Sequence, residues 1–292
     1  MIYAVGLASE STFAHFVSSA EARGVPVRAV DLRQAVEEGD WRLVVGRDRS
    51  ARLGGHDLDP QASYYCRVAD LAALQQDRAS AQRWRWLTTA LAAWLDQIPG
   101  LVVNRPSIRS DNGSKPLHEW SLSRAGFRVP ASITSSSPQR LRAFARSGPA
   151  LVKAVSGVRA TSRLVTAADL AGFDPGQGPV HLQRYVRGWD VRAHVVGDRV
   201  HAEEIISGAV DYRTDRDAEF TLCELPGPLA EQLVRHTAEL GMAFAGWDFK
   251  VGADGTYWCL EVNPMPAYDW YDRRLGGAIS ASLLGLLQGA CP

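Results

Sequence analysis

The pattern that most constrains this chain lies near its C-terminus. Residues 243–251 and 256–262 read as two strands joined by Ala253-Asp254-Gly255, a strong hairpin turn. In a strand, side chains at i and i+2 share a face. Asp248 and Lys250 therefore point one way, and Trp247, Phe249 and Val251 the other. On the partner strand Glu261 and Asn263 share a face, opposite Leu260 and Val262. If the apolar side builds a core, three oxygen-bearing side chains and one ammonium converge on the other side. Asp248, Glu261 and Asn263 form a hard-oxygen set that suits magnesium held jointly with phosphate groups. The competing reading is a half-exposed hairpin with a solvated polar face. It fits Asp248 alone, and fits less well with Asn263-Pro264 following Glu261 so closely.

Upstream, residues 1–105 alternate strand candidates (2–7, 27–31, 41–45, 49–53, 101–103) with helical stretches over 11–23 and 71–97. That order implies a small α/β lobe. Asp70 is the candidate N-cap of the second helix, whose Trp84, Trp86 and Trp94 are expected in the core. A polar stretch with Pro106, Gly113 and Pro116 reads as the connection into a central lobe, residues 106–180. There helices are expected over 117–125 and 139–147, and strands over 129–134, 150–154 and 163–165. In a C-terminal lobe, residues 181–292, strands dominate: 180–186 at its entry, 191–196, 200–206 and 220–222, then helix 228–241, the hairpin and a terminal helix over 277–288.

Composition narrows the chemistry. The formal net charge is zero, which gives no basis for bulk electrostatic binding to nucleic acid or an anionic membrane. Cys66, Cys223, Cys259 and Cys291 are far apart and form no metal or disulfide spacing. The N-terminus reads as a first strand rather than a signal peptide, so a cytoplasmic protein is expected. Of 32 basic residues only Lys115, Lys153 and Lys250 are lysine, so each marks a place where a compact ammonium is wanted, unless three survived by chance. Lys153 ends a strand and precedes a small polar loop containing Ser156 and Gly157, where backbone amides can cradle phosphate. Alone that signal is weak, with one glycine and no Walker motif. Asp190, Arg192 and His194 share a strand face; Arg192 can neutralise a transferring phosphoryl group or simply pair with an acid, and His194 reads as structural.

In order, these pieces resemble the ATP-grasp superfamily and, within it, the RimK-like branch, over residues 104–290. Lys115-Pro116, Gly126 and Val129-Pro130 resemble the segment with the first ATP lysine, and Leu151-Val152-Lys153-Ala154 the strand with the second. Gln183-Arg184-Tyr185-Val186 resembles the hinge that binds adenine through backbone groups, and Asp190-Val191-Arg192 the element that sets an arginine over the phosphates. Gly246-Trp247-Asp248-Phe249 and Leu260-Glu261-Val262-Asn263-Pro264 resemble the paired metal-binding strands. The segments Gly208-Ala209-Val210-Asp211-Tyr212-Arg213 and Asn263-Pro264-Met265-Pro266 are similar to those of ligases that crosslink ribosomal peptides, the microviridin or graspetide type.

The resemblance implies a fold and a reaction. The fold is α/β of the α+β ATP-grasp kind, a small N-terminal lobe plus two lobes clasping ATP between antiparallel sheets. The reaction is an ADP-forming carboxylate–amine ligation through an acyl phosphate, on an amino acid, small metabolite or ribosomal peptide. Mg²⁺ would sit on Asp248, Glu261 and Asn263. ATP would be held by Lys115, Lys153, Ser156, Gly157, Gln183, Arg184, Tyr185, Val186, Asp190 and Arg192, with Lys153, Arg192 and Arg213 acting in catalysis and Arg213 holding the acyl phosphate or carboxylate. A homodimer is a family-level expectation. A phosphotransferase on the same fold and a non-catalytic nucleotide-binding module are the competing readings.

Overall fold

The structure, a computed structural model, describes residues 1–39, 41–108, 113–156 and 161–289. The N-terminal lobe runs β1 (Ile2–Gly6), α1 (Ser11–Ala22), β2 (Val27–Asp31), α2 (Leu32–Glu38), a small antiparallel sheet of β3 (Arg42–Leu43), β4 (Ala51–Leu53) and β5 (His56–Leu58), then β6 (Ser63–Cys66), α3 (Arg78–Gln97) and β7 (Val102–Val103). Its main sheet is parallel, in the order β2-β1-β6-β7. The central β6 has no counterpart in the expected elements. Ser63-Tyr64-Tyr65-Cys66 is short and buried along nearly its whole length, so it lacks the alternation that marks a half-exposed strand.

The long helix expected over 71–97 is divided. Asp70 precedes only a short 3-10 turn whose N-cap is Leu71, its carboxylate accepting from the Ala72 amide at 2.8 Å; the helix proper is capped by Asp77, which accepts from the Ser80 amide at 2.9 Å. Trp84 and Trp94 are buried as expected, but Trp86 is 57% exposed. Positions two apart on a helix face away from each other, so Trp84 and Trp86 cannot share the core side.

The central segment runs α4 (Lys115–Arg124), β8 (Ser132–Ser135), α5 (Pro138–Arg146), β9 (Ala150–Lys153), β10 (Arg163–Val165) and β11 (Val180–Arg184). The strands form an antiparallel sheet in the order β10-β9-β11-β8. One face, with Ile133, Ala150, Val152 and Leu182, packs on Leu141 and Phe144 of α5 and on Leu170. By alternation the other face carries Ser132, Thr134, Leu151, Lys153, His181 and Gln183. Because Leu182 sits in this small core, β11 belongs to the central sheet. We therefore propose the lobe boundary after Arg184, not between 180 and 181.

The C-terminal segment runs β12 (Gly188–Val196), β13 (Arg199–Ile206), β14 (Glu219–Cys223), α6 (Gly227–Glu239), β15 (Phe244–Gly252), β16 (Tyr257–Asn263), α7 (Asp269–Arg274) and α8 (Ala278–Leu287). Its antiparallel sheet has the order β14-β13-β12-β15-β16. Val191, Ala193, Trp247, Phe249 and Val262 on one face pack against Leu233 of α6 and against Leu122 and Phe127 from the α4 region. N-terminal and C-terminal segments also share a core: Ile2, Phe13 and Phe16 pack with Phe244, Tyr268, Ile279 and Leu283. Asn104 fastens that join. Its amide oxygen accepts from the Ala243 and Phe244 amides, and its NH₂ donates to the Phe244 and Pro264 carbonyls.

Cys66, Cys223 and Cys259 are free thiols, and Cys291 lies outside the described residues. Among the described residues no helix is long and apolar enough to cross a membrane.

Candidate active site

A cavity of about 340 Å³ lies between the Lys153 face of the central sheet and the polar face of the C-terminal sheet. The central sheet contributes Leu151, Lys153, Gln183 and, at the end of β11, Arg184, and the connection to β12 contributes Tyr185 and Val186. The C-terminal sheet contributes Asp190, Arg192, Asp248, Lys250, Leu260, Glu261 and Asn263. Lys115 enters from the start of α4, Tyr271 from α7, and Asp211, Tyr212 and Arg213 from the loop after β13. Ser156 does not line this cavity; it forms an isolated antiparallel bridge with Ser114, just before α4. Gly157 lies outside the described residues.

Strand register makes this convergence. Asp248 pairs across the ladder with Glu261 on one side and with Arg192 on the other, while Gly246 pairs with Asn263. A β-bulge intervenes: Asp248 opposes Glu261 but Phe249 opposes Cys259, leaving Leu260 as the extra residue. Leu260 therefore lines the cavity, and Cys259 joins Val262 in the core. Simple alternation had placed Leu260 with Val262 on the core side; the bulge inverts it.

The charges are cross-paired. Arg192 Nη1 donates to Asp248 Oδ2 at 2.6 Å, and Lys115 Nζ to Glu261 Oε2 at 2.8 Å. Burial opposes ionisation of Glu261, but the Lys115 ammonium holds its carboxyl below the usual value. Burial likewise works against the Arg192 charge, and Asp248 beside it more than restores it. Lys250 Nζ donates to Asp190 Oδ2 at 2.8 Å, both nearly buried, so the Asp190 carboxylate is taken up inside the protein. Arg213 is held by Asp211 in a two-point contact at 2.6 and 2.7 Å. Lys153 differs: its ammonium makes no hydrogen bond or ion pair among the described residues, and burial, with Lys115 nearby, pushes it below the ordinary lysine value against the pull of Glu119.

Two features hold Arg192 in place. A Cβ on Gly246 would lie 2.2 Å from Arg192 Nη2, so only glycine leaves room for the guanidinium. His194 Nε2 accepts from Arg192 Nε at 3.4 Å, and burial together with Arg192 pushes its pKa far down, keeping the imidazole a neutral acceptor. Arg184 is turned the other way. Its guanidinium lies over Phe144 and donates to the Gly148 and Phe144 carbonyls, which leaves only its backbone to the cleft.

The residues present fit a divalent cation. Asp248 and Glu261 each have one carboxylate oxygen that accepts no hydrogen bond among the described residues. The Asn263 amide oxygen is fixed by accepting from the Met265 amide at 2.9 Å, with a second lone pair remaining.

Tyr271 of the cleft, and His118 and Glu119 outside its lining, are not among the residues expected from the sequence. Tyr271 sits on a six-residue helix too short to show periodicity, and its hydroxyl pairs with that of Tyr212 at 2.8 Å. On α4, His118 Nε2 accepts from the Val262 amide at 3.0 Å, while Glu119 binds His181 and Gln183 of the central sheet. That helix buries residues on two sides, so it shows no apolar stripe to single them out.

No family model matches the chain, and no curated protein matches it either. Solved structures do. One is the ATP-grasp ligase PsnB complexed with a phosphomimetic variant of minimal precursor, Mg and ADP: 25% identity, TM-score 0.82, covering 98% of this chain and 98% of that one. Another is PsnB complexed with minimal precursor: 27% identity, TM-score 0.79, covering 97% and 98%. A third is a RiPP-associated ATP-grasp ligase from Chryseobacterium gregarium in complex with ADP and a leader and core peptide: 18% identity, TM-score 0.82, covering 100% and 97%. The fold is that of the ATP-grasp ligases. Within that class, the structures named here are ligases solved with precursor, leader or core peptides.

Proposed function

We propose that this chain is an ATP-dependent carboxylate–amine ligase that forms an amide within a ribosomally made precursor peptide. The observation that carries the reading is the cross-paired cluster in the cleft: Lys115 with Glu261 and Arg192 with Asp248, beneath the central sheet that brings in Lys153. Cations suited to a polyphosphate and oxygen ligands suited to magnesium occupy one wall. The likeness to PsnB over nearly the whole chain adds the substrate class.

In this reading a peptide carboxylate oxygen attacks the γ-phosphorus of ATP, the bond to the β-phosphate bridge breaks, and an acyl phosphate and ADP result. A peptide amine then attacks the acyl carbon, expelling phosphate and losing its proton. Lys115, Lys153 and Arg192 spread the charge on the transferring group, which is mainly positioning and electrostatics. The backbone of residues 183–186 receives the adenine. Asp248, Glu261 and Asn263 would hold Mg²⁺, which neutralises phosphate charge when bound. Asp190 acts indirectly, through Lys250, and Arg213 holds the carboxylate or acyl phosphate. Ser156 stays a phosphate ligand in this reading on the resemblance alone, and Gly157 lies outside the described residues. Closure of the central sheet over ATP keeps water from the acyl phosphate. We place the protein in the cytoplasm, where ATP is present, and a homodimer is carried over from the resemblance alone.

The test is ADP and phosphate release with candidate precursor peptides. Release should require peptide and disappear in Glu261→Gln. ADP formation without free phosphate would favour a phosphotransferase instead, and ATP binding without turnover on any peptide would favour a non-catalytic module.

A further inference from the structure

Glu119 of α4 is a carboxylate only 6% exposed, and the reaction above does not use it. It is the hub of a polar network on the Lys153 face of the central sheet. Its Oε1 accepts from His181 Nε2 at 3.0 Å and from Gln183 Nε2 at 2.6 Å, and its Oε2 accepts from the Ser132 hydroxyl. His181, wholly buried, is fixed at its other nitrogen by Thr134 Oγ1 at 2.8 Å. Burial opposes the Glu119 charge, but the hydrogen bonds from His181 and Ser132 bring its carboxyl below the usual range, so it is a pure acceptor.

That has a consequence for Gln183. A side-chain amide has one accepting and one donating end, and an ionised carboxylate can take only the donor. Gln183 must therefore turn its NH₂ to Glu119. Its Oε1 accepts no hydrogen bond among the described residues, and Gln183 lines the cavity beside Leu151, Tyr185 and Val186. The cleft is thus offered a hydrogen-bond acceptor whose orientation cannot reverse while Glu119 stays charged. A purine with an amino group at position 6 can donate to it; one with a keto oxygen there meets lone pair against lone pair.

We propose that Glu119 is a specificity-determining positioning residue: by anchoring the Gln183 amide it makes the base pocket select a 6-amino purine over a 6-keto purine. The inference rests on the ATP-binding reading above and adds a side-chain determinant to a hinge otherwise assigned to backbone groups.

The experiment is calorimetric binding of Mg²⁺–ADP and Mg²⁺–IDP to the full chain. IDP changes position 6 and leaves the sugar and phosphates alone, so phosphate contacts, including any change in the field at Lys153, cancel in the ratio. The wild type should prefer ADP by about tenfold or more. Glu119→Met removes the anchor and lets the amide turn either way, so the preference should fall about tenfold, largely through tighter IDP binding. Gln183→Leu keeps the Glu119–His181–Ser132 network and removes the acceptor; it should lose the preference through weaker ADP binding, and it decides the matter if Glu119→Met does not fold. A wild type that binds both equally, or a folded Gln183→Leu with the wild-type ratio, overturns the inference and leaves the ligase reading standing. A wild type that binds no ADP overturns the ligase reading, and this inference with it.

Discussion

Asp248→Asn should make nucleotide binding better without metal and worse with it. In the cleft Asp248 is committed to Arg192 at 2.6 Å. A polyphosphate arriving without magnesium must take Arg192 from that carboxylate and sit beside the charge it leaves. The pair is partly shielded, with side-chain exposures of 8% for Arg192 and 29% for Asp248. Hydrogen bonds to charged groups contribute about 1.5–3 kcal/mol when well shielded; discounted for the exposure of Asp248, about 1–2 kcal/mol is reasonable. The neutral amide of the variant holds Arg192 less firmly and repels phosphate less, so ADP in EDTA should bind roughly 5- to 30-fold more tightly to the variant. With Mg²⁺ present the order should reverse, because the variant lacks one metal ligand. Calorimetric titration of ADP in EDTA and in excess Mg²⁺, on wild type and variant, gives all four values. Metal-free ADP binding to Asp248→Asn that equals or falls below wild type would refute the cross-pairing argument.

Three further outcomes follow from the same geometry. Gly246→Ala would put a Cβ 2.2 Å from Arg192 Nη2 and 2.7 Å from Pro266 Cβ, so thermal or denaturant unfolding should show a loss of about 1–3 kcal/mol, with Mg²⁺–ADP affinity falling as Arg192 is displaced. Asn104→Ala strands four backbone groups at the join of the N-terminal and C-terminal segments, and urea unfolding should show a loss of about 2–4 kcal/mol. Burial, with Lys115 nearby, depresses the Lys153 pKa, so Lys153 sheds its proton at a lower pH than an ordinary lysine and a bound phosphate should draw one back. ADP binding should then take up protons increasingly as pH rises toward the ordinary lysine value, read from binding heats in two buffers of different ionisation enthalpy, and Lys153→Met should abolish that uptake.

The polar side of the C-terminal hairpin was legible because two strands of strong alternation flank an unambiguous turn. Register then does the rest, and Asp248, Glu261 and Arg192 fall on neighbouring rungs. Alternation failed at Leu260, since a bulge depends on pairing with the other strand and leaves no mark in its own sequence. It also failed for β6, whose buried Tyr64 and Tyr65 serve cores on opposite faces of one sheet. Glu119 and His118 were invisible for a related reason. Their helix is clamped between two sheets, so its polar residues are buried at the points of contact instead of lying on a solvated face. Trp86 shows the converse, an aromatic side chain read as core that its helix turns to solvent.

The central claim is that this cleft uses ATP to join a carboxylate and an amine in a peptide. Intact-mass spectrometry of candidate precursor peptides incubated with the protein, ATP and Mg²⁺ tests it most directly. The expected product is lighter by one water for each bond formed, dependent on ATP and absent with Glu261→Gln. A peptide that instead gains and keeps a phosphoryl group, or one dehydrated equally well by the Glu261→Gln variant, would contradict it.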